Sequence, residues 1–577
     1  MGDYISGFEI LVDGSPLETE MIDDVTEIVV DQHTHLPAMA TVRLYDPDFK
    51  HIDTGSLDLT RELEISFDTQ DDSKVTVFKG EITSLEPEWG EGMVAELVVR
   101  AYDKAHRLYR EAKSQAFLNI KDSDLASRFA GNAGLSAQVE STNTVYEAIF
   151  QDNQTDLAFL MQRAWRIGYE CFVSDSKLYF RKPKPSEAGP ILTYGENLLS
   201  FRMRATLAEQ VDEVFVKGWD PATQQAIVGQ ASNGALYPQI GEAKNGQSWA
   251  GIFGAGKRTI VDHPVISQAE ANIIAQARMD EISGAFIEAE GVAYRCPDIV
   301  AGKNVEIKDL GQRFSGKYLV TQANHRWTHE GLMSTFQVRG SRTGTLVEQS
   351  QLNAPVQKWS GVVPAIVTNT DDPNDWGRVK VKYPWMADDA DSWWARVIGA
   401  GAGPNSGFCL VPEVNDEVIV AFEHGDFNSP IILGGLWNGR SAIPPAVAGA
   451  AAGDKPLVRV WQSIKGNYIA MHDDADQKIE IMTTGGHVLT FDDNNKKVEL
   501  KTSAGHTITL DDQNKKVEAK SAGGHKVTMD DMGRAMTVES AGNLNIKAAM
   551  NVKIEGVMID VTASGMLNLK GSIVNIN

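Results

Sequence analysis

The 577-residue sequence is poor in cysteine and contains no long apolar run. Its three cysteines, Cys171, Cys296 and Cys409, lie more than a hundred residues apart. This spacing argues against a disulfide framework or a cysteine-based zinc site, and it predicts buried, reduced thiols. Because no run of about 18 apolar residues occurs, no segment is expected to cross a bilayer as a helix. The first residues lack the basic and apolar regions of a secretory signal, so we expect synthesis in the cytoplasm.

Positive charge is also scarce. The sequence has 54 basic and 78 acidic side chains, which gives a net charge of −24. A nucleic-acid backbone would find no basic surface, so nucleic-acid binding is not expected. Residues 455–577 are balanced, with 15 basic and 15 acidic side chains. Long-range attraction to an anionic membrane therefore does not explain this C-terminal part.

Familiar catalytic motifs are missing as well. The sequence has no H-E-x-x-H, G-x-S-x-G, Walker or C-x-x-C cluster, and His329-Glu330 lacks the second histidine of a zinc motif. Glu423, His424 and Asp426 stand together in "EHGD". Adjacent side chains on an extended segment diverge, so a turn with local hydrogen bonds is the favoured interpretation. We expect no catalytic residue and no cofactor.

Two histidines, His33 and His35, alternate along a predicted strand and would share one face of it. A metal role for this pair is not favoured, because the pair lies near the N-terminus of the chain. We therefore expect no metal here.

The C-terminal part is strongly repetitive. An Asp-Asp pair recurs at a fixed step of 19 residues, and lysines and histidines keep the same step. The series are Asp473, Asp492, Asp511 and Asp530; Lys478, Lys497 and Lys516; and His487, His506 and His525. A fixed step of this kind indicates a repeat architecture.

Each unit divides into two alternating strands and two turns. In the unit "HVLTF…KVELK", Leu489 and Phe491 share a face with His487, while Val498 and Leu500 face the same interior. The segments "DDNNK" and "TSAG" have the composition of turns. After Asn543 apolar pairs recur every seven or eight residues, which predicts further short strands to the end of the sequence. These pairs are Leu544/Ile546, Val552/Ile554, Ile559/Val561, Leu567/Leu569 and Val574/Ile576.

A single ribbon of this kind would have one narrow apolar face and two long unpaired edges. Such ribbons are marginal alone, and bare edges invite aggregation. A single-chain β-helix needs longer coils than the steps near the C-terminus provide. Three chains, each supplying one face, would bury the apolar residues along a common axis. The pattern therefore predicts an intertwined homotrimeric β-prism over residues 457–577.

If the prism forms, three copies of each repeat histidine would approach the axis. Imidazoles of His487, His506 and His525 could then bind a divalent metal or an anion. The alternative is that each histidine follows a glycine turn and sits at the solvent rim. The rim position is the favoured interpretation.

The first 346 residues contain an internal echo. The first copy consists of "LEISF" at 63–67, "FKGEIT" from Phe78, Trp89 and a strand ending at Arg100. The second copy consists, in the same order, of "VEIKD" at 305–309, "FSGKYL" from Phe314, Trp327 and a strand ending at Arg339. The echo predicts two related small barrels, with chance similarity between β-rich segments as the alternative. In a trimer, two barrels per chain would give a ring of six similar units.

Helical patterns lie between the two copies. The segment 155–168 places Leu157, Leu160 and Met161 on one face, with a cap at Thr155 or Asp156 and an end at Gly168. A second helix begins at a capping box of Ser267 and Glu270 and ends at Gly284.

Composition then sets the expected domains. Residues 358–440 hold five short strands, which is typical of a small OB-fold barrel. A polar break at 347–357 precedes it, and a Pro/Ala/Gly-rich linker follows it. The expected division is a hub at 1–346 (barrels at about 1–105 and 205–346, an α/β insert at about 106–204), an OB-fold domain at 358–440, a linker at 441–456 and the prism at 457–577.

The most specific stretches are "DPNDWGRVKVKYPW" from Asp372 and "GFCLVPEVNDEVIVAFEHGDFNSPIILGGLWN" ending at Asn438. Together with "DLAFLMQRAWRIGYECFVSDSKLYFRKP" at 156–183, they resemble the VgrG-type spike proteins of contractile injection systems. The resemblance covers essentially the whole chain. It implies a mainly β trimer whose hub caps a sixfold inner tube and whose threefold spike punctures a target membrane.

The resemblance also implies partners: an inner tube protein, baseplate proteins, a small PAAR-type tip protein and effector cargo. The protein would be made in a bacterial cytoplasm and assembled into the baseplate of an injection particle, whether a type VI secretion relative or an extracellular phage-tail-like particle. Two other functions are weighed. A spike carrying an enzyme against cell-wall or surface glycan would need an added domain, which 440–456 is too short to hold. A receptor-binding fibre would be expected to end in a knob.

Overall fold

Strands make up most of the regular structure, and the mainly β prediction is confirmed. The computed structural model describes residues 7–576 except 92–93, 186–187, 221–222, 224, 262–263, 343–358, 385–390, 446, 448–450 and 453–454. The predicted break at 347–357 and part of the predicted linker at 441–456 lie outside the described residues. The chain divides into two compact units, Met1–Leu436 and Trp437–Asn577. Within the described ranges, every helix is too short or too polar to cross a membrane.

The first barrel is built from the N-terminal strands around an aliphatic core. Alternate residues of these strands, such as Ile28, Val42 and Val99, are fully buried in it, as the period of two requires. The strands are β1 Phe8–Val12, β2 Ser15–Pro16, β3 Val25–His33, β4 Met39–Tyr45, β5 Glu62–Asp68, β6 Lys74–Gly90 and β7 Val94–Tyr102. The helices are α1 Thr19–Asp23, α2 Lys50–Thr54 and a 3₁₀ helix at Lys104–Tyr109.

The α/β insert follows. Its elements are β8 Ala112–Ile120, α3 Asp122–Asn132, β9 Ser136–Val139, β10 Tyr146–Thr155, α4 Asp156–Arg166, β11 Glu170–Ser174 and β12 Lys177–Arg181. The predicted cap of α4 is confirmed, because the Thr155 side chain accepts a hydrogen bond from the Ala158 N–H. Gly168 lies beyond the helix at a φ of +72°, a conformation that favours glycine.

The second barrel begins earlier than the predicted residue 205, because β13 and β14 already pair with its strands. The strands of this region are β13 Ile191–Thr193, β14 Leu198–Ala205, β15 Glu213–Asp220, β16 Gln225–Ala231, β17 Gln239–Ile240, β18 Lys257–Ile260, β19 Ile287–Tyr294, β20 Asn304–Lys308, β21 Gly316–Leu319, β22 Gln322–Thr328 and β23 Gly331–Val338. Of these, β15, β16 and β18 form a separate three-stranded sheet, which packs on the helix Gln268–Gly284. The helices are α5 Gly246–Ala250, α6 Gln268–Gly284, α7 Gly311–Phe314 and a 3₁₀ helix at Gly251–Phe253. Ser267 caps α6 through the Glu270 N–H, as predicted. The Glu270 carboxylate, however, accepts from the Ile266 N–H, one residue before the position expected in a capping box.

Strands of both barrels join in one eleven-stranded sheet with the order β14-β19-β23-β22-β3-β4-β7-β6-β5-β1-β2. The two copies share even a β-bulge. In the β3–β4 pair, Val25 lies opposite Leu44 and the next partners are Glu27 and Arg43. In the β14–β19 pair, Leu198 lies opposite Ala293 and the next partners are Ser200 and Val292. The bulge makes β3 equivalent to β14 residue by residue.

The same register extends the equivalence to the other strands. It makes β4 equivalent to β19, β7 to β23 and the C-terminal half of β6 to β22. Trp89 and Trp327 are equivalent, as the echo predicts. Arg100 is equivalent to Gln337 and not to Arg339, because the hairpin between β6 and β7 is longer than the one between β22 and β23.

The OB-type barrel has the five principal strands expected, in the order β25-β24-β29-β30-β26. The strands are β24 Val362–Asn369, β25 Lys380–Lys382, β26 Arg396–Val397, β27 Ala402–Gly403, β28 Ser406–Gly407, β29 Glu417–Phe422 and β30 Pro430–Gly435, with a 3₁₀ helix at Glu423–Gly425. Phe150 of the insert packs into the aromatic cluster of this barrel, 5.1 Å from Phe427 between ring centroids. Its N–H donates to Asn428 Oδ1 at 2.8 Å.

The C-terminal unit is a regular antiparallel meander. After the short pair β31 Ala451–Ala452 and β32 Lys455–Pro456, nine strands of five residues each pair in sequence order. They are β33 Val458–Gln462, β34 Tyr468–His472, β35 Lys478–Met482, β36 Val488–Asp492, β37 Lys497–Lys501, β38 Thr507–Asp511, β39 Lys516–Lys520, β40 Lys526–Asp530 and β41 Ala535–Glu539.

Two expectations for this unit were wrong. Long unpaired edges are not a feature of the repeats, because each of β34 to β40 pairs with a strand on both sides. The short strands expected after Asn543 are not formed in the single chain, since residues 540–576 contain no assigned strand and their side chains are largely exposed. An extended segment is a strand only when a neighbour accepts its hydrogen bonds, and this chain offers the segment no such neighbour.

Candidate assembly surfaces

One face of the nine-stranded sheet is an open apolar surface, here called the apolar face. Leu489 lies opposite Leu500, and Phe491 lies opposite Val498. Along neighbouring strands the same two rows carry Ile479, Ile481, Ile508, Leu510, Val517, Val527 and Met529. Leu510 is 45% exposed, and most of the others are similarly open. A soluble chain rarely exposes a contiguous apolar surface of this length unless another chain covers it.

The opposite face of that sheet is polar and charge-alternating. Lys478 lies opposite Asp492, which lies opposite Lys497, and the alternation continues through Asp511, Lys516 and Asp530. Opposite charges directly across a ladder stabilise the register. The sequence repeat thus encodes a cross-strand charge pattern as well as turns.

The turns work as predicted. Asp492 and Asp511 each accept a hydrogen bond from an Asn N–H three residues later, at 2.8 Å. Hydrogen bonds from the side chains of Asn495 and Asn514, followed by these N–H bonds, lower the pKa of both aspartates below the usual value. Lys496 and Lys515 then adopt a positive φ.

The repeat histidines line the apolar face at its glycine-turn margin. His506 Nδ1 accepts from the Ala522 N–H at 3.2 Å, and His525 Nδ1 lies 3.0 Å from Ser540 Oγ. All three histidines, including His487, are exposed in the single chain. Within one chain they lie two strands apart, about 10 Å. Among the described residues no group of three or more His, Cys, Asp or Glu side chains is arranged to hold a metal. An axial site would need three chains, and it stays a prediction.

A second polar surface, which the sequence analysis missed, covers the eleven-stranded sheet on the side away from the barrel cores. Arg43 contacts Glu88 at 2.8 Å and Glu96 at 2.5 Å, and these carboxylates raise its pKa. Asn324 donates to Asp31 at 2.6 Å across the junction of the two barrels. The signal was present in the sequence, since charged residues alternate with apolar ones in β6 and β7, but only the pairing shows that they form one face.

The residues considered for chemistry occupy structural positions. Glu423, His424 and Asp426 form the predicted turn: the Asp426 N–H donates to the Glu423 carbonyl at 3.0 Å, and Asp426 Oδ1 accepts from the Asn428 N–H. His33 and His35 lie 5.5 Å apart between ring centroids at the end of β3. Burial lowers the pKa of His35 to about 4 and lowers that of His33, so both rings are neutral near pH 7.

The expectation of three buried thiols was wrong for one of them. Cys171 and Cys296 are buried, and burial raises the pKa of each to about 12, which makes them unreactive. Cys409 is exposed. Cys409 belongs to a loop of the OB-type barrel in which Phe408 and Leu410 are also exposed. Because its sequence neighbours are apolar, the sequence alone does not indicate that this loop is exposed.

Comparison with known families gives two matches. A family model described as the Alg8 N-terminal domain matches residues 3–329. A second, described as the type VI secretion system/phage-baseplate injector OB domain, matches residues 363–437.

Curated relatives are spike proteins of type VI secretion systems. VgrG3 of Vibrio cholerae is 29% identical over 171 residues, which is 26% of this chain and 16% of that protein. VgrG1a of Pseudomonas aeruginosa is 32% identical over 148 residues, 22% of either chain. The chain therefore spans less than a quarter of the length of the relatives it matches.

Among solved structures, a chain of the Francisella PdpA-VgrG complex in its lidded form has the same fold. The TM-score is 0.50 at 11% sequence identity, over 86% of this chain and 80% of that one.

Proposed function

The chain belongs to the Alg8 N-terminal domain family, whose model covers residues 3–329 of 577, and its resemblance to VgrG-type spikes is confirmed; from this premise we propose that it is the central spike and hub of a contractile injection machine. Its role would be mechanical: to join a sixfold inner tube to a threefold needle. The relatives are named as spike proteins, which supports a structural role over a catalytic one.

The observation that carries the proposal is the apolar face of the nine-stranded sheet. Seven strands of the sheet already have neighbours on both sides. Their backbone hydrogen bonds are therefore made within one chain and do not require a second chain. What remains uncovered is a double row of large apolar side chains. Burial of one such side chain contributes about 1.5–3 kcal/mol, so association through this face is strongly favoured.

Three copies fit this face better than two. A sheet of five-residue strands is narrow, and three narrow faces can enclose one axis as a triangular prism. The segment 540–576 supports the same arrangement, because its exposed extended backbone would find neighbours only on other chains. A stiff prism without loops suits a needle that is pushed through a membrane.

The proposed partners follow from this role. The hub would bind an inner tube protein and baseplate proteins, and the end of the prism would carry a PAAR-type tip protein. Effector cargo would travel with the spike. One solved relative is described as a complex of VgrG with PdpA, which supports a VgrG-type hub as a partner for a second protein. The protein would be assembled into the baseplate of the particle.

Light scattering coupled to size exclusion tests the proposal. The full chain should have three times the mass of one 63.0 kDa chain, independent of loading concentration. A stable monomer or a dimer would contradict the trimeric spike.

A further inference from the structure

Strands β8 and β10 of the insert, here called the arm, lie between two hydrophobic cores. They pair antiparallel in a two-stranded sheet, and alternate residues of each strand point to opposite faces. On one face, Phe117 and Ile149 are buried in the core of the insert. On the other face, Ala116, Ala148 and Phe150 pack into the core of the OB-type barrel. The arm therefore contributes side chains to both cores.

Phe150 completes the aromatic cluster of the OB-type barrel. It is 6% exposed, and its ring lies 5.1 Å from that of Phe427 and 6.0 Å from that of Tyr383, edge-on to both. Phe427 in turn stacks on Phe422 at 4.5 Å. Edge-to-face and stacked ring pairs are favourable beyond the apolar area that they bury. Without Phe150, the barrel would keep a cavity beside Phe427 and Tyr383.

The turn that contains Glu423, His424 and Asp426 supplies a hydrogen-bond acceptor for the arm. Asp426 Oδ1 accepts from the N–H of Asn428 at 3.0 Å and from its Nδ2 at 2.8 Å. These two bonds fix the amide of Asn428, and its Oδ1 accepts from the Phe150 N–H at 2.8 Å. A buried N–H without an acceptor would oppose the insertion of Phe150. The turn is thus part of a binding surface for the arm.

The arm has a second, polar contact with the same barrel at the start of β10. Burial raises the pKa of Glu147, whereas the charge of Arg378 and a hydrogen bond from Trp393 oppose that rise. Arg378 and Trp393 both belong to the OB-type barrel. Contacts at Glu147 and at Phe150 hold the strand at two points, which resists rotation of the arm relative to the barrel.

We propose that the arm mechanically couples the hub to the OB-type barrel, so that thrust on the hub reaches the spike through Phe150 and its binding surface. The binding surface, here called the socket, consists of Tyr383, Phe422 and residues 426–428. This coupling role rests on the proposed function and names the contact that carries the force.

The length of the chain connection supports a separate coupling. Residues 343–358 lie between the second barrel and the OB-type barrel in the sequence. Sixteen residues can span up to about 55 Å when extended, so their length alone does not fix the position of the barrel. The arm and the socket fix it through packed rings and a directed hydrogen bond.

Cutting the chain between the hub and the OB-type barrel tests the coupling. A recognition site for a sequence-specific protease is introduced within residues 347–357, and the purified full-length protein is cleaved and passed over a size-exclusion column in a dilution series. The two wild-type fragments should elute together without denaturant. Phe150→Ala should weaken their association by about a hundredfold or more, so that they separate on dilution. The matched control is Leu118→Ala on the same face of the arm, where the side chain is 49% exposed, and it should behave as the wild type.

Each result decides for or against the coupling. Wild-type fragments that separate after cleavage overturn it, and so do Phe150→Ala fragments that stay together as tightly as those of the wild type. If Phe150→Ala does not fold, Asn428→Ala removes the acceptor and leaves the apolar contacts in place. Its cleaved fragments should separate at a lower urea concentration than those of the wild type, and an equal concentration overturns the role of the socket.

Light scattering on the uncut protein tests the proposed function independently. A monomer whose cleaved fragments elute together keeps the coupling between the hub and the barrel but refutes the trimeric spike. A trimer whose fragments separate without denaturant keeps the spike and refutes the coupling.

Discussion

Arg166 of α4 and Glu270 of α6 form a buried ion pair, with Nη2 of Arg166 2.9 Å from Oε1 of Glu270. Their side chains are 9% and 1% exposed. Arg166 also donates to the Pro264 carbonyl at 2.8 Å, and the second carboxylate oxygen of Glu270 accepts from the Ile266 N–H. The pair thereby joins the α/β insert to the helix beside the second barrel.

Removing one partner of this pair should destabilise the hub. Arg166→Met leaves the Glu270 carboxylate buried without its counterion, and the expected loss is about 3–5 kcal/mol in the free energy of unfolding. Urea denaturation of the full chain measures it. The double variant Arg166→Met/Glu270→Met should recover much of the loss, because it leaves no unpaired charge. Equal losses in the single and double variants would contradict this account.

A charge on the apolar face should prevent the trimer from forming. Leu510→Lys replaces a side chain that three chains would bury, at a cost of about 2 kcal/mol per chain for the lost apolar burial alone. We expect a monomer by light scattering. The matched control is Gln513→Lys, three residues away in an exposed turn, which should remain a trimer. A trimeric Leu510→Lys protein would mean that this face is not the contact.

Acid should weaken the hub through its buried histidines. His325 is fully buried, with Nδ1 2.9 Å from Ser334 Oγ and Nε2 3.0 Å from the Ile299 carbonyl, and burial lowers its pKa to about 4. Because the folded pKa lies below the unfolded value of about 6.5, the stabilisation is complete above pH 6.5 and is lost as the pH falls toward 4. The expected loss is about 3 kcal/mol per such histidine.

Urea titrations between pH 4 and pH 8 measure this slope. Asp103 has the opposite sign, since burial raises its pKa to about 7 and acid therefore favours its folded form. The quantity to compare is thus the difference between the wild type and His325→Gln, which should shrink as the pH falls from 6.5 to 4. A difference that does not depend on pH would exclude His325 as the acid-sensitive group.

The OB-type barrel should depend on Asp372. Its carboxylate accepts from the N–H groups of Asn374, Trp376 and Arg378 and binds the Arg378 guanidinium at 2.7 Å. The Arg378 hydrogen bond holds the pKa of this carboxyl well below its usual range. Asp372→Asn removes the charge and one acceptor, and we expect about 2–3 kcal/mol of destabilisation. Asp371→Asn changes the exposed neighbour and should have little effect on the melting temperature.

Thiol reactivity should distinguish the three cysteines. Only Cys409 is exposed, so Ellman's reagent should modify one thiol per native chain and three in denaturant. The Cys409→Ser variant should show no fast reaction in the native state. A wild-type Cys409 that resists modification would show that another chain covers this loop.

Local features of the fold could be predicted because their causes are local. The caps at Thr155 and Ser267 and the Asp turns of the repeats depend on residues within four positions of each other. The alternation that separates Leu489 and Phe491 from the polar side likewise follows from the period of a strand.

Long-range pairing could not be predicted in the same way. Nothing near Ile28 indicates that its strand lies beside Trp327, about three hundred residues later, because register is set by tertiary contacts. The similarity between the two barrels was visible in the sequence. The alignment of Arg100 with Arg339 was wrong, because the β6–β7 hairpin is longer than the β22–β23 hairpin. The exposed Cys409 was missed because burial depends on the whole barrel and not on the residue type.

The recurrence of two strands per 19 residues sets a unit of length for the C-terminal sheet. Adjacent strands are about 4.8 Å apart, so one repeat adds about 10 Å along the sheet. Deleting or duplicating a whole repeat would keep the apolar side chains on one face and the charged side chains on the other. It would also keep the pairing between neighbouring turns. An insertion that is not a whole repeat would disrupt this alternation of apolar and charged positions. Evolution or an engineer can thus shorten or extend the rod in steps of about a nanometre without redesigning anything else.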